Sequence, residues 1–217
     1  MRRTKEELCN MVERHKIIAI MRKVPMEAYE NTIKALFRGG IRLIEVTFDP
    51  SGEFSEKTTL AQIHLTEQKY QDIAVGAGTV LTMRQVGQAY DAGAGYIISP
   101  NVNEDVIRET RLKGMLSMPG AMTPTEAENA AVYGADFVKL FPAGAMGTDY
   151  IKDLKGPLSH IRFLAVGGVD ETNLTDFLSA GCAGAGAGSC LVNKKLIKEG
   201  KFKELEELAA RFVSKVN

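Results

Sequence analysis

The feature that most constrains the fold of this chain is a repeated change from a glycine to a short apolar run. At five places a glycine ends a helix-like stretch and an apolar segment follows within a few residues, namely at Gly40, Gly93, Gly114, Gly134 and Gly181. Glycine is common just past a helix, because it readily adopts the left-handed backbone that closes the last turn. Gly93, Gly114 and Gly134 lie about 20 residues apart, and each wider gap is about two such lengths. The sequence therefore predicts a strand–helix unit that repeats along the chain.

Apolar runs also occupy the wider gaps, so that the pattern predicts eight strands in all. They are placed at 17–21, 42–47, 73–77, 95–98, 115–118, 136–140, 162–166 and 183–187. Strands that alternate with helices pair in parallel through right-handed crossovers. Eight such units in 217 residues predict an α/β chain folded as a single-domain (β/α)8 TIM barrel. An open doubly wound sheet is the alternative, but no G-x-G-x-x-G segment follows the first strand.

The helix signals refine this prediction. Thr123 followed by Pro124 and Glu126 predicts a helix start with a capping box, and Asp170 predicts the cap of a helix over 170–179. A short helix is expected to begin at Cys190. No linker divides the chain, so residues 1–217 are expected to form one domain, with a helix at about 3–15 before the first strand.

Composition excludes several classes of function. The chain has 27 basic and 27 acidic residues, which argues against binding to nucleic acid. No apolar run reaches the roughly 18 residues of a membrane span, and the charged N-terminus lacks the apolar core of a signal peptide. The cysteines, which are Cys9, Cys182 and Cys190, are odd in number and show no C-x-x-C spacing. We therefore expect no disulfide framework and no zinc site. We expect a cytoplasmic location.

Lys139 lies near the end of the sixth predicted strand, in ADFVKLFPAG. In one interpretation its stem is packed and its ammonium group is in water. In the other, burial lowers the pKa of the amine and prepares it for Schiff-base chemistry. Glu45 and Arg22 stand at the ends of the second and first strands. Because these ends meet at one face of a barrel, we expect a lysine nucleophile, a glutamate that transfers protons and an arginine that binds an anion.

The last two strands end in glycine-rich segments. Gly167 and Gly168 follow the seventh strand, and Gly188 and Ser189 follow the eighth. Free backbone N–H groups in such loops hold phosphate in many barrels. The alternative is that the glycines only permit close packing of the strands.

The chain resembles the family of 2-keto-3-deoxy-6-phosphogluconate (KDPG) aldolases and 4-hydroxy-2-oxoglutarate (KHG) aldolases. The segments that carry the resemblance run from about residue 16 to 193 and are KIIAIMR, GGIRLIEVTF, VGAGTVLT, IISPNVNEDV, MPGAMTPTEA, ADFVKLFPAG, GGVDETNL and GAGSCLV. It implies a class I, Schiff-base (β/α)8 enzyme without metal or cofactor that acts on a small 2-keto acid. It also implies a homotrimer, with no partner among nucleic acids or membranes.

The resemblance also implies roles for residues. Lys139 would form the carbinolamine and Schiff base with the pyruvate ketone, and Glu45 would move the protons. The residues that would hold the rest of the substrate are Arg22 and Thr79 at the carboxylate, Pro100 and Phe141 around the imine, and Gly168, Gly188 and Ser189 at the distal phosphate.

Two positions depart from the family pattern. Asp49 stands where some members carry an arginine that binds substrate anions, and Val166 stands where many carry a threonine before the glycine pair. The second change removes one neutral hydrogen bond, worth on the order of 1 kcal/mol. The pyruvate half of the reaction is thus better supported than the aldehyde half.

The expected activity is reversible cleavage of KDPG to pyruvate and glyceraldehyde 3-phosphate. The alternatives are cleavage of 4-hydroxy-2-oxoglutarate to pyruvate and glyoxylate, isomerisation or epimerisation of a phosphosugar with Glu45 as the base, and binding of a phosphometabolite without turnover.

Overall fold

The computed structural model describes residues 2–216, so that the two terminal residues of the predicted domain, 1 and 217, lie outside it. The strands within this range all pair in parallel in one sheet. They are β1 Ile17–Met21, β2 Leu43–Thr47, β3 Ala74–Gly78, β4 Tyr96–Ile98, β5 Leu116–Met118, β6 Gly120–Ala121, β7 Val138–Leu140, β8 Phe163–Val166 and β9 Gly184–Ala187.

Helices connect most consecutive strands, as a (β/α) unit requires. They are α1 Lys5–His15, α2 Met26–Arg38, α3 Glu56–Lys69, α4 Met83–Ala92, α5 Glu104–Leu112, α6 Pro124–Tyr133, α7 Ala143–Lys155, α8 Leu174–Ser179, α9 Lys194–Lys198 and α10 Phe202–Ser214. Within residues 2–216, no helix combines the length and the apolarity that crossing a membrane requires.

The sheet closes on itself through a broken fifth strand. The predicted strand at 115–118 is followed directly by β6, and Pro119 separates the two segments. Proline cannot donate a backbone hydrogen bond, so the ladder is interrupted there. β5 pairs with β4, whereas β6 pairs with β7, and the amide of Lys139 donates to the carbonyl of Pro119 at 2.9 Å. The predicted α/β TIM barrel is therefore confirmed, with nine strand segments where the pattern predicted eight strands.

The barrel interior is filled with apolar side chains at its amino-terminal end. Tyr96 is fully buried there and donates its hydroxyl hydrogen to the carbonyl of Ile44 at 2.6 Å. Gly76 makes room for this ring, because a Cβ at that position would overlap it. Leu8 and Val12 of α1 pack against the same interior cluster. With α1 covering this end, the carboxyl ends of the strands are left for a site.

The predicted capping box before α6 is confirmed. The Thr123 hydroxyl accepts a hydrogen bond from the backbone of Glu126, and the Glu126 carboxylate accepts one from the backbone of Thr123. Two other helix predictions are wrong. Asp170 does not cap a helix, because its carboxylate accepts hydrogen bonds from Thr172 and Asn173 in a local turn, and α8 begins only at Leu174.

No helix begins at Cys190 either. The amides of Leu191 and Val192 both donate to the carbonyl of Gly188, which makes a single turn. The next helix, α9, begins at Lys194, where the side chain of Asn193 accepts hydrogen bonds from the first turn.

Candidate active site

A cavity of about 650 Å³ opens at the carboxyl ends of the strands. Eight of the nine residues that the sequence proposed for the site line it, and the ninth, Glu45, is buried at 1% exposure on β2. The eight are Arg22, Thr79, Pro100, Lys139, Phe141, Gly168, Gly188 and Ser189. The fold thus brings together residues from six separate strand ends.

Lys139 is the middle residue of β7 and is only 6% exposed. Its Nζ lies 5.0 Å from the centroid of the Phe141 ring. Burial lowers the pKa of the Lys139 amine, the nearby Glu45 carboxylate raises it, and Arg22 lowers it. An ammonium group that reaches into water does not fit this burial, so the desolvated-lysine interpretation is the one the geometry favours.

Glu45 lies on β2 and faces the backbone of the neighbouring strand. A Cβ at Gly78 of β3 would overlap the Glu45 carboxylate, so the side chain occupies space that only a glycine leaves free. Burial raises the pKa of Glu45, while Lys139 and Arg22 both lower it. A carboxyl group held near the balance of these effects can both accept and donate a proton.

Arg22 and Thr79 both line the cavity. Ile20 and Arg22 both line it, as expected for residues two apart along an extended strand. Thr79 follows β3 and has a left-handed backbone with φ of 57°, a conformation that costs a residue with a Cβ some free energy.

The glycines in the loops after β8 and β9 have different structural explanations. A Cβ at Gly144 would lie 2.8 Å from the Cα of Gly168, and the Gly144 amide donates to the Gly167 carbonyl at 2.7 Å. Close packing therefore accounts for the glycine pair after β8. It does not account for Gly188, because a Cβ there would meet no atom within 4 Å. The open space beside Gly188 and Ser189 belongs to the cavity.

The cavity also has residues that the sequence did not single out for the site. Lys194 is the most informative, since it is exposed and lines the cavity. Among residues 2–216, no carboxylate oxygen lies within 4.0 Å of its ammonium group. Cys190 also lines the wall, and its thiol donates to the Val169 carbonyl at 3.0 Å. The Asn193 cap was the available signal that a helix begins at Lys194.

Comparison with known proteins identifies the family. The model of the aldolase family described as KDPG and KHG aldolase matches residues 8–208. The chain belongs to the KDPG and KHG aldolase family. The described part of this aldolase contains no group of three or more His, Cys, Asp or Glu residues that could hold a metal ion.

Individual relatives of this aldolase agree with that assignment. It is 39% identical over 178 residues to the 2-dehydro-3-deoxy-6-phosphogalactonate aldolase of Escherichia coli (strain K12), which covers 81% of this chain and 83% of the relative. It is 34% identical over 204 residues to the 2-dehydro-3-deoxy-phosphogluconate aldolase of Treponema pallidum (strain Nichols), with 91% and 92% covered.

A solved structure is similar along nearly the whole length of this aldolase. The KDPG aldolase of Legionella pneumophila, with pyruvate captured as a covalent carbinolamine intermediate, superposes with a TM-score of 0.84 at 26% identity. The match covers 93% of this chain and 96% of the other. The family resemblance carried by the sequence motifs is thereby confirmed.

Proposed function

We propose that this aldolase reversibly cleaves a 6-phosphorylated 2-keto-3-deoxyhexonate, either KDPG or its C4 epimer, to pyruvate and glyceraldehyde 3-phosphate. The observation that carries the proposal is a cavity-lining lysine of lowered pKa, 6% exposed, that interacts with the buried Glu45 carboxylate. A lowered pKa increases the fraction of the lysine amine that is neutral and can attack a ketone, and a carboxyl group of raised pKa can exchange protons with the adduct.

The steps follow from these two groups. The neutral Lys139 amine attacks the C2 ketone to give a carbinolamine. Protonated Glu45 donates its proton to the carbinolamine hydroxyl, which leaves as water, so that a protonated imine and a Glu45 carboxylate remain. Glu45 accepts the proton of the C4 hydroxyl as the C3–C4 bond breaks, and the bonding electrons move into the imine to form an enamine. Glyceraldehyde 3-phosphate leaves. Glu45 then returns a proton to C3 of the enamine, and water hydrolyses the resulting imine to release pyruvate and free lysine. The carbinolamine captured in the Legionella pneumophila relative supports the first of these steps.

The other cavity residues hold the two ends of the substrate. Arg22 and Thr79 would bind the carboxylate next to the ketone, and Pro100 and Phe141 would flank the imine. Gly168, Gly188 and Ser189 would receive the phosphate at the far end, where Lys194 adds a positive charge.

Trapping of the Schiff base tests the proposal. The protein is incubated with pyruvate and sodium borohydride, and the modified peptide is mapped by mass spectrometry. A reduced pyruvate adduct on Lys139 is the expected result. Without an adduct, or with one on another lysine, the isomerase and binding-protein alternatives would replace the aldolase mechanism.

The pH dependence of trapping follows from the lowered pKa. Only the neutral amine attacks pyruvate, so the trapping rate rises as pH increases through the pKa of Lys139. Because burial lowers that pKa from its ordinary value of 10.5, we expect the midpoint of a cyanoborohydride trapping profile below pH 10.5. In Glu45→Gln the carboxylate that raises the lysine pKa is absent, so the midpoint should fall further. A midpoint at or above 10.5 would contradict a desolvated lysine.

Lys194 allows the phosphate to be tested separately from the aldol chemistry. In Lys194→Ala we expect KM for the phosphorylated substrate to rise by about three- to tenfold, since an exposed charge pair contributes on the order of 1 kcal/mol. Pyruvate trapping should be unchanged. Lys195→Ala is the matched control, because Lys195 is the next residue of α9, is exposed and does not line the cavity. Equal effects of the two substitutions, or none of either, would mean that Lys194 does not bind the phosphate.

Two observations favour the galacto epimer over KDPG as the preferred substrate. Val166 lines the cavity with methyl groups where many members of the family carry a threonine hydroxyl. The identity is also higher to the phosphogalactonate aldolase of Escherichia coli than to the phosphogluconate aldolase of Treponema pallidum. Measurement of kcat/KM for both epimers decides between them.

Two exposed apolar side chains bear on the assembly of the protein. Leu112 and Val132 are 82% and 71% exposed and lie together on one surface with Arg111. Apolar side chains so exposed are typical of contacts between subunits, and we propose a homotrimer, which light scattering of the purified protein measures.

The three cysteines are unpaired, which supports a reducing, cytoplasmic location.

A further inference from the structure

The turn after β1 directs two neighbouring side chains in opposite directions. Arg22 lines the cavity. Lys23, the next residue, has a left-handed backbone with φ of 54° and is absent from the cavity wall. A lysine pays a steric penalty for this conformation. The surroundings of Lys23 must therefore stabilise the turn.

The ammonium group of Lys23 is held by the loop that follows β2. It lies 3.1 Å from an Asp49 carboxylate oxygen and 2.7 Å from a Glu53 carboxylate oxygen. It also donates to the Ser51 hydroxyl at 3.3 Å. The loops after the first two strands are thus joined by ionic contacts beside the cavity.

The two carboxylates contribute differently to this contact. The Asp49 side chain is 8% exposed, whereas that of Glu53 is 76% exposed. Asp49 also accepts hydrogen bonds from the Ser51 hydroxyl at 2.7 Å and the Phe54 amide at 3.0 Å. Hydrogen bonds from Ser51 and the contact with Lys23 lower the pKa of Asp49 to about 2. Asp49 is therefore the buried partner and is charged at neutral pH, whereas Glu53 is the solvent-exposed partner.

The far side of the turn is held as well. Val24 is 2% exposed, and its carbonyl accepts a hydrogen bond from the buried Gln62 side chain at 2.7 Å. Arg22 itself is exposed, and within residues 2–216 its guanidinium group makes no hydrogen bond or ion pair. Its placement is consequently set by the backbone on either side.

We propose that the Lys23–Asp49 ion pair is a positioning pair, which holds the turn after β1 so that Arg22 meets the carboxylate of the 2-keto acid. This inference rests on the proposed function, in which Arg22 binds that carboxylate. It assigns a purpose to Asp49, which departs from the family pattern by replacing an anion-binding arginine. The pairing with Lys23 also neutralises the carboxylate of Asp49, which would otherwise repel an anionic substrate.

The test compares substitutions of the two carboxylates. Asp49→Asn keeps hydrogen-bonding capacity in the loop but removes the charge that Lys23 contacts. We expect KM for the 2-keto acid, and the pyruvate concentration for half-maximal trapping, to rise by about three- to tenfold with kcat within about twofold of wild type. Lys23→Ala should behave in the same way. Glu53→Gln and Lys23→Arg, the matched controls, should stay within about twofold.

A double-substitution cycle separates positioning from a general effect on the loop. In an Arg22→Ala background, Asp49→Asn should raise KM by no more than about twofold further, because the group it positions is gone. An equal rise in both backgrounds would overturn the inference, as would an unchanged or lower KM in Asp49→Asn alone. Failure of the proposed function is distinct from these outcomes, since wild-type protein would then form no pyruvate adduct on Lys139.

Discussion

Replacement of Lys139 by methionine should abolish turnover of KDPG and its C4 epimer, and no pyruvate adduct should form under borohydride. Methionine keeps an unbranched stem in the buried site on β7, so packing changes little, but it offers no nucleophile. Loss of a covalent nucleophile lowers kcat on the order of 10⁵–10⁶-fold. The loss of turnover is measured as the rate of pyruvate release in a coupled lactate dehydrogenase assay.

Lys152→Met is the matched control for that substitution. Lys152 lies on α7, directly after the strand that carries Lys139, and its ammonium group pairs with Asp149 at the surface. We expect its turnover and adduct yield to match the wild-type values. Residual turnover of more than about one hundredth in Lys139→Met would mean that the chemistry does not pass through this amine.

The second large effect is expected from Glu45→Gln. The amide cannot accept the C4 hydroxyl proton or return one to the enamine, so kcat should fall by roughly 10²–10⁴. Pyruvate should still be trapped on Lys139, because the nucleophile remains. Exchange of the pyruvate methyl protons in D₂O, followed by NMR, should slow in parallel with kcat, since it reports the same proton transfer. Unchanged turnover or exchange would remove Glu45 from the mechanism.

Stability measurements show whether Glu45→Gln acts on chemistry rather than on folding. Burial raises the pKa of Glu45, so the folded state binds its proton more tightly than the unfolded state does. The stability that this difference contributes is present at low pH and is lost as pH rises through the folded pKa. Glutamine does not titrate, so the variant does not lose stability over this pH range. We therefore expect Tm at pH 7 to be no lower than that of the wild type, within a few degrees.

The barrel could be predicted because glycines mark the ends of several of its helices. Gly93 and Gly134 have φ of 104° and 102° and close the helices before β4 and β7. Few other residues adopt that conformation readily, so the distance between these glycines in the sequence indicates the length of one strand–helix unit. The closure at Pro119 could not be predicted in the same way, since it depends on which neighbours pair with each half of the fifth strand.

The residues of the candidate site could be predicted because the carboxyl ends of the parallel strands all lie at one face of the barrel. Lys139 and Glu45 stand out as charged residues in apolar strands. Lys194 does not, because a lysine at the start of a short exposed helix looks like any surface lysine. The ion pair between Lys23 and Asp49 could not be predicted either. Alternation along β1 indicates which way Arg22 points, but this ion pair forms between two loops that are far apart in the sequence.

The contact between Gly144 and Gly168 bears on the size of molecule that can react. The backbone hydrogen bond from Gly144 to Gly167 joins the loop after Lys139 to the loop proposed to receive the phosphate. In the proposed mechanism, this bond limits how far the backbone that follows Lys139 can move from the phosphate position. A phosphorylated aldehyde one carbon shorter or longer could satisfy only one of the two ends. Selection by chain length would therefore persist in variants whose cavity side chains have been changed to accept a different stereoisomer.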